Sequence, residues 1–353
     1  MADTANDGVD LERLSPYFAE HVAGATGAPL HASLISGGRS NLTYFIGDGT
    51  TEWVLRRPPL GHVLPTAHDM AREHTVITKL AGTDVPVPRA LAFCEDNAVN
   101  GAPFYVMEKV AGRIVRTDAD FAMLTPDDAR RCSEALVDVL AALHRVDYAA
   151  VGLAEFGRPD GFLERQVRRW GKQWQSSKEA GCPDNPAIDE LARRLGAALP
   201  DSPPPTIVHG DYRLDNTMLD NDDAGRVAAV LDWEMSTLGD PLADLGLFLL
   251  YWGRGEAQVV AASAVISPSK GFLDRDAVVA RYEAATGLDL HNLDWYEVFA
   301  SYKLAIIVAG IHARYLMGMT RGEGFDHMGA MVDALAHGAL EFASRSEIPA
   351  LRA

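Results

Sequence analysis

From Thr206 the chain reads TIVHGDYRLDNTMLDNDDAGRVAAVLDWEMSTLGDPLADL, and no other stretch limits the possible folds so tightly. Short β runs at Thr217–Leu219 and Arg226–Leu231 flank Asp220-Asn221-Asp222-Asp223-Ala224-Gly225, whose residue types suit a reversal of the chain. Paired as a hairpin centred near Ala224, they bring Asn216 and Asp232 side by side at the open end. An amide oxygen and a carboxylate are hard ligands suited to magnesium, which keeps waters and takes its other ligands from phosphates. Asp211 opens the same loop five residues before Asn216, so one base and two metal ligands gather around one point. Local turn chemistry explains any one of these residues alone. It does not explain the ordered set.

Phosphoryl transfer needs little more than such a set, because it depends on positioning and charge neutralisation. The spacing His209-x-Asp211-x-x-x-x-Asn216, followed by Asp232, has the form of a kinase catalytic loop and its metal-binding aspartate. His209 is expected to hold the loop by hydrogen bonds, with the neighbouring carboxylate as base. Asp240 and Asp244 read as structural, an N-cap and a first-turn acid of the next helix.

The rest of the chain divides in two. Leu11 to Gly24 predicts a short amphipathic helix, and strands follow at Asn41–Ile46 and Glu52–Arg57, joined through Gly47-Asp48-Gly49. A helix over Thr66–Leu80 and strands at Ala90–Cys94 and Phe104–Lys109 complete a small mixed unit. Beyond Gly112 the pattern is helical. Thr125-Pro126-Asp127-Asp128 supplies an N-cap, a proline at N1 and acids in the first turn of a helix ending near His144. Leu163 to Lys178 is another helix, with Trp170 and Trp174 on one face as core or as a wall of an acceptor pocket. The Pro203-Pro204-Pro205 cluster then punctuates the chain, and helices return from about Asp240 to Phe342, Tyr302 to Tyr315 among them. The expected organisation is α+β in two lobes, 1–108 carrying the sheet and 109–353 the loop and helices.

Composition removes several classes. A net charge of −17 with no compensating basic run argues against nucleic acid. No apolar run approaches membrane-spanning length, and the acidic, polar first residues lack a signal-peptide pattern, so the expectation is a cytoplasmic protein with no membrane partner. Cys94, Cys132 and Cys182 lack the spacing of a disulfide framework or zinc site. His62, His68 and His74 share no helix face and read as solvated. There is no GxxxxGK[ST] and no GxSxG, and His144-Arg145-Val146-Asp147 lacks the following Asn, so it reads as a helix end.

The motif His209-Gly210-Asp211, Asn216, Asp232 and Gly239-Asp240-Pro241-Leu242-Ala243-Asp244-Leu245-Gly246 resembles the signature of the aminoglycoside phosphotransferase family, whose fold is like that of protein and choline kinases. The resemblance implies a protein-kinase-like two-lobed fold, a small-molecule hydroxyl acceptor, and ATP (or GTP) with Mg2+. It implies Asp211 as base or hydroxyl-orienting group, and Asn216 and Asp232 on the metal. A strand cation that grips phosphates, paired with a helix glutamate, falls on Arg56 and Glu73. Arginine there departs from the more usual lysine, and a planar fork is not equivalent to a point charge. The turn Ser36-Gly37-Gly38-Arg39-Ser40-Asn41 stands where kinases cover the phosphates, which assigns Ser40 and Asn41 to the nucleotide. It is not a GxGxxG motif. FYVMEKV matches the hinge, with Glu108 and Val110 offering backbone groups to the adenine.

The segments VLRRPP, RQVRRW and KLAII resemble kinase-like proteins found with, or fused to, acyl-CoA dehydrogenases, a subgroup that contains hydroxyacyl-CoA kinases. A hydroxyacyl-CoA or similar metabolite is therefore the favoured acceptor. An aminoglycoside or other cationic alcohol is the alternative that the acidic balance favours. A non-catalytic nucleotide-binding module is the alternative that Arg56 and the degenerate glycine turn favour.

Overall fold

The computed structural model describes residues 8–35, 41–60, 69–252, 266–319 and 324–352. Ser36–Ser40, His62 and His68 lie outside the described residues.

Helix α1 (Leu11–His21) starts at Asp10, whose carboxylate accepts the Arg13 amide, and it buries Leu14 and Phe18. Strands β1 (His31–Leu34), β2 (Leu42–Gly47) and β3 (Glu52–Arg57) follow, then α2 (Met70–Leu80), β4 (Ala90–Cys94), the short α3 (Asn97–Asn100) and β5 (Phe104–Glu108). The five strands form one antiparallel sheet in the order β1-β2-β3-β5-β4. The β2–β3 hairpin closes on Gly47↔Glu52, and Asp48 caps its turn by accepting the Thr50 and Thr51 amides.

Strand alternation sorts the side chains of this sheet onto two faces. Tyr44, Ile46, Trp53, Leu55, Phe104 and Val106 pack against Leu14, Phe18 and Val22 of the α1 region. Burying Leu14 and Phe18 stabilises the unit by about 2 kcal/mol each. Val54, Tyr105 and Met107 join the larger core on the opposite face, together with α2. Arg56 stands opposite Tyr105, so the pleat points a cation at the same side.

The remainder is mostly helical. It comprises α4 (Asp118–Ala122), α5 (Pro126–Arg145), α6 (Phe162–Glu179) and α7 (Pro186–Ala197), then α8 (Leu242–Tyr251), α9 (Arg275–Thr286), α10 (Leu293–Leu316) and α11 (Met328–Ser344). The Thr125 and Asp128 side chains form a capping box at the start of α5. Helix α10 is the axis, buried on most of its faces between α6, α7, α8 and α11. Its approach to α8 requires Gly246, where a Cβ would meet the Tyr296 carbonyl oxygen at 2.6 Å. Between α7 and α8 lie two small antiparallel pairs, β6 (Thr206–Val208) with β9 (Thr237–Gly239) and β7 (Thr217–Leu219) with β8 (Val227–Val230).

The sequence reading anticipated neither α7 nor the β6–β9 pair. His74 also differs from its solvated reading, since it is half-buried and stacks on Phe93 with ring centroids 5.2 Å apart. Among the described residues no helix is long and apolar enough to cross a membrane.

Candidate active site

The loop after β6 is tied down from several directions. Gly210 has φ +84, a left-handed conformation, and a Cβ there would lie 2.7 Å from the Met235 carbonyl oxygen. Asp244, in the first turn of α8, accepts the His209 amide at 2.6 Å and the Gly210 amide at 2.8 Å. It also meets His144 Nε2 at 3.4 Å, and His144 Nδ1 lies 2.6 Å from the Tyr282 hydroxyl. The Gly210 carbonyl accepts from Lys303 Nζ at 2.7 Å, across from α10.

His209 Nδ1 accepts the Asp211 amide at 3.2 Å, and Nε2 lies 2.9 Å from the Leu231 carbonyl. An amide can only donate and a carbonyl can only accept, so the ring carries its proton on Nε2. Asp240 accepts the Leu242 amide and the Tyr296 hydroxyl. The loop's conformation is therefore fixed by side chains of α5, α8 and α10.

Asp211 and Asn216 are brought together. Asn216 Nδ2 donates both to the Asp211 carboxylate and to its carbonyl, each at 2.8 Å. The Asn216 carbonyl accepts the Leu231 amide at 2.8 Å, so Leu231 stands opposite Asn216 and Asp232 follows it. The symmetric hairpin expected from sequence is displaced by one residue, because the register is Thr217↔Val230 with a shift between Met218 and Leu219. Asp232 has φ +65, the one non-glycine in the left-handed region among the described residues.

Burial raises the Asp211 pKa and the nearby Asp232 charge adds to this, against the pull of Arg213, Lys303 and His209. Arg213 Nε lies 3.6 Å from Asp211 and its Nη1 3.4 Å from Asp215, with the guanidinium over the Tyr251 ring.

Arg56 joins this loop to the sheet. Its Nε lies 2.9 Å from Glu73 Oε2, its Nη2 pairs with Asp232 Oδ1, and Glu234 lies 3.8 Å away. Asn41 donates to Glu73 at 2.8 Å and to Glu234 at 3.0 Å, and the Tyr105 hydroxyl donates to Glu73 at 3.0 Å. Burial opposes the charge of Arg56, yet Tyr105, Glu73, Asp232 and Glu234 hold its pKa above the ordinary arginine range. Burial pushes the Glu73 carboxyl up to about 7 against the pull of Arg56.

Among the described residues no three His, Cys, Asp or Glu side chains converge as a metal set. A cation at Asn216 and Asp232 would thus draw further ligands from water and phosphate. The chemistry fits magnesium, since Asn216 commits its Nδ2 and keeps its amide oxygen, and Asp232 pairs through one oxygen only.

Other positions are less closely drawn in. The Glu108 amide is taken by the Arg89 carbonyl, and Val110 makes no backbone bond to a described residue. Glu234, Arg213, Lys303 and the loop-gripping role of Asp244 were missed from sequence. Only Asp244 carried a signal, its place in the GDPLADLG segment.

A small antiparallel sheet facing a helical part, with a braced acidic loop between them, is the two-lobed kinase-like architecture. The model of the phosphotransferase enzyme family (APH) matches residues 31–296, and the chain belongs to that family. It is 35% identical over 344 residues to acyl-CoA dehydrogenase family member 11 of Rattus norvegicus, covering 96% of this chain and 44% of the rat protein. The chain thus spans less than half the length of that curated relative. A solved Ralstonia eutropha protein, provisionally described as an aminoglycoside phosphotransferase, is 32% identical with a TM-score of 0.82, covering 96% of this chain and 99% of that one. A thermostable mutant of aminoglycoside phosphotransferase APH(4)-Ia, solved with AMP-PNP and hygromycin B, shares the fold at 14% identity and a TM-score of 0.57, covering 93% and 97%. The family and the acyl-CoA-dehydrogenase-associated subgroup expected from the motifs are the ones found. The chain is a phosphotransferase of the kind that takes an alcohol group as acceptor.

Proposed function

We propose that this protein is a magnesium-dependent kinase that transfers the γ-phosphoryl group of ATP to the hydroxyl of a small metabolite, with a hydroxyacyl-CoA as favoured acceptor. The observation that carries the reading is the pairing of Asp211 with Asn216 at 2.8 Å beside Asp232. Asp211 orients the acceptor hydroxyl and takes its proton. The alcohol oxygen bonds to the γ-phosphorus, the bond to the β–γ bridging oxygen breaks, and ADP leaves with that electron pair. Asn216 and Asp232 would hold the metal, which when bound would neutralise phosphate charge. Arg56, kept in place by Glu73, reaches the phosphates, Asn41 on the same Glu73 lies toward them, and Glu108 and Val110 border the adenine.

Residues 1–108 are in this reading the nucleotide lobe and 109–353 the lobe of the loop and acceptor. The AMP-PNP complex of the fold relative supports ATP as donor. The dehydrogenase-named relative supports the acyl-CoA acceptor. The free, buried cysteines suit a reducing cytoplasm.

The test is ADP release across a panel of hydroxylated metabolites and hydroxyacyl-CoAs, with and without magnesium. Stimulation by acyl-CoA esters supports the favoured acceptor, and stimulation by amino sugars supports the cationic alternative. Asp211→Asn should lower kcat by about 10²–10⁴-fold while nucleotide binding persists. Normal turnover by that variant would refute the assignment. The non-catalytic alternative draws on Arg56, which is already paired to Asp232, and it requires nucleotide binding without metal-dependent turnover.

A further inference from the structure

Many arginines in this acidic chain have a carboxylate beside them, as Arg89, Arg130, Arg226 and Arg281 do. One region gathers a group of cations that do not. A cavity of about 560 Å3 is lined by five cations, Arg158, Arg165, Arg168, Arg169 and Lys172, and by no acidic residue. Among the described residues none of the five has a carboxylate within ion-pairing distance. Arg165 is fixed by the carbonyls of Arg158 and Asp160, which orient its guanidinium without neutralising it. Arg165, Arg168, Arg169 and Lys172 recur at i, i+3, i+4 and i+7, so α6 presents them along one face. Like charges at these spacings repel one another, and among the described residues no ion pair offsets them.

The cavity adjoins the catalytic loop. Thr237, which also lines it, pairs with Val208 across β6 and β9. Val208 is three residues from Asp211, a reach of at most about 10 Å. Trp170 bridges the two regions, its ring 5.6 Å from the Arg169 guanidinium and 5.7 Å from Lys303 Nζ. The indole N–H of Trp170 is buried without an acceptor among the described residues.

We infer that this α6 cavity is the subsite for the phosphate-bearing end of the acceptor, which carries several phosphate charges at one end and its hydroxyl at the other. Guanidinium forks match phosphate oxygens in pairs. A single carboxylate would leave most of the five cations uncompensated, and a cationic amino sugar would be repelled. The inference rests on the kinase reading and assigns the subsite for the phosphate end of its favoured acceptor.

The test uses Arg168→Ala combined with Lys172→Ala, two exposed positions where alanine keeps the helix. Calorimetry would measure binding of free CoA to protein already saturated with ADP. The variant should bind CoA about tenfold or more weakly, the loss expected from removing charge-assisted contacts. In parallel, the kcat/KM preference for a hydroxyacyl-CoA over the same acyl group on pantetheine should fall by about tenfold or more. CoA binding that is unchanged in the variant, or that competes with ADP, overturns the subsite. Variant-sensitive CoA binding without turnover of any hydroxylated acceptor would uphold the subsite and refute the kinase reading instead.

Discussion

The loop around Asp211 and the cationic face of α6 meet at the β6–β9 pair, and they treat charge in opposite ways. In the loop, Asp244 is spent on two amides and His144, Asp211 on Asn216, and Arg56 on Glu73 and Asp232. On α6, five cations face a cavity with no acid among its lining residues. The first region satisfies its charges internally before any ligand arrives. The second is completed only by something that brings negative charge. Positioning groups gain from the first arrangement and recognition groups from the second.

The comparison breaks most visibly at Asp244. Asp244→Ala should cost about 3–5 kcal/mol of folding stability, because it strands two buried amides and removes the anion beside His144. Chemical denaturation would measure it, and a loss under about 1 kcal/mol would mean that other contacts set the loop. Burial works against the Asp244 charge, yet His144, His209 and the Gly210 amide hold its pKa below the ordinary carboxylate range. A depressed folded-state value makes this contribution complete at neutral pH and lost progressively as pH falls below about 4. The variant's stability should accordingly lose part of the acid dependence that the parent shows.

A smaller effect is expected at Arg56, where the charge is kept and the shape is changed. Arg56→Lys retains a cation but cannot hold Glu73 through Nε and Asp232 through Nη2 together. Nucleotide affinity should fall by about tenfold, equivalent to about 1.4 kcal/mol, as read by ATP titration. Unchanged affinity would show that a point charge suffices here, and the bidentate argument would fail.

What could be read beforehand follows the same division. The meeting of Asp211, Asn216 and Asp232 was legible because they lie within one short loop and hairpin, where spacing is geometry. The Arg56 face was legible because strand alternation is strict. Glu234 was not, since a short 3-10 turn (Trp233–Met235) after the left-handed Asp232 carries it toward Arg56, and no periodicity describes that turn. Lys303 meets Gly210 from 93 residues away, a contact set by how α10 packs on α8. The basic stripe of α6 was visible in the letters RQVRRW, but its meaning depends on the absence of acids opposite, which only tertiary structure supplies. The β6–β9 pair was missed for a related reason: three-residue strands are too short to show alternation.

The smallest effect concerns folding stability at α6, and its sign matters more than its size. If Arg168 and Lys172 were held by hidden partners, removing them would destabilise the helix as removal of Arg130 should, which sits between Asp127 and Glu134. If they are uncompensated, their i,i+4 repulsion is relieved, and Arg168→Ala with Lys172→Ala should raise stability by about 0.2–0.5 kcal/mol. Added salt should stabilise the parent and narrow its gap to the variant, because screening weakens repulsion between exposed charges. A loss of stability in the variant, growing smaller with salt, would mean the cations are paired after all. The two regions would then handle charge alike, and the cavity would lose its claim on an anionic ligand.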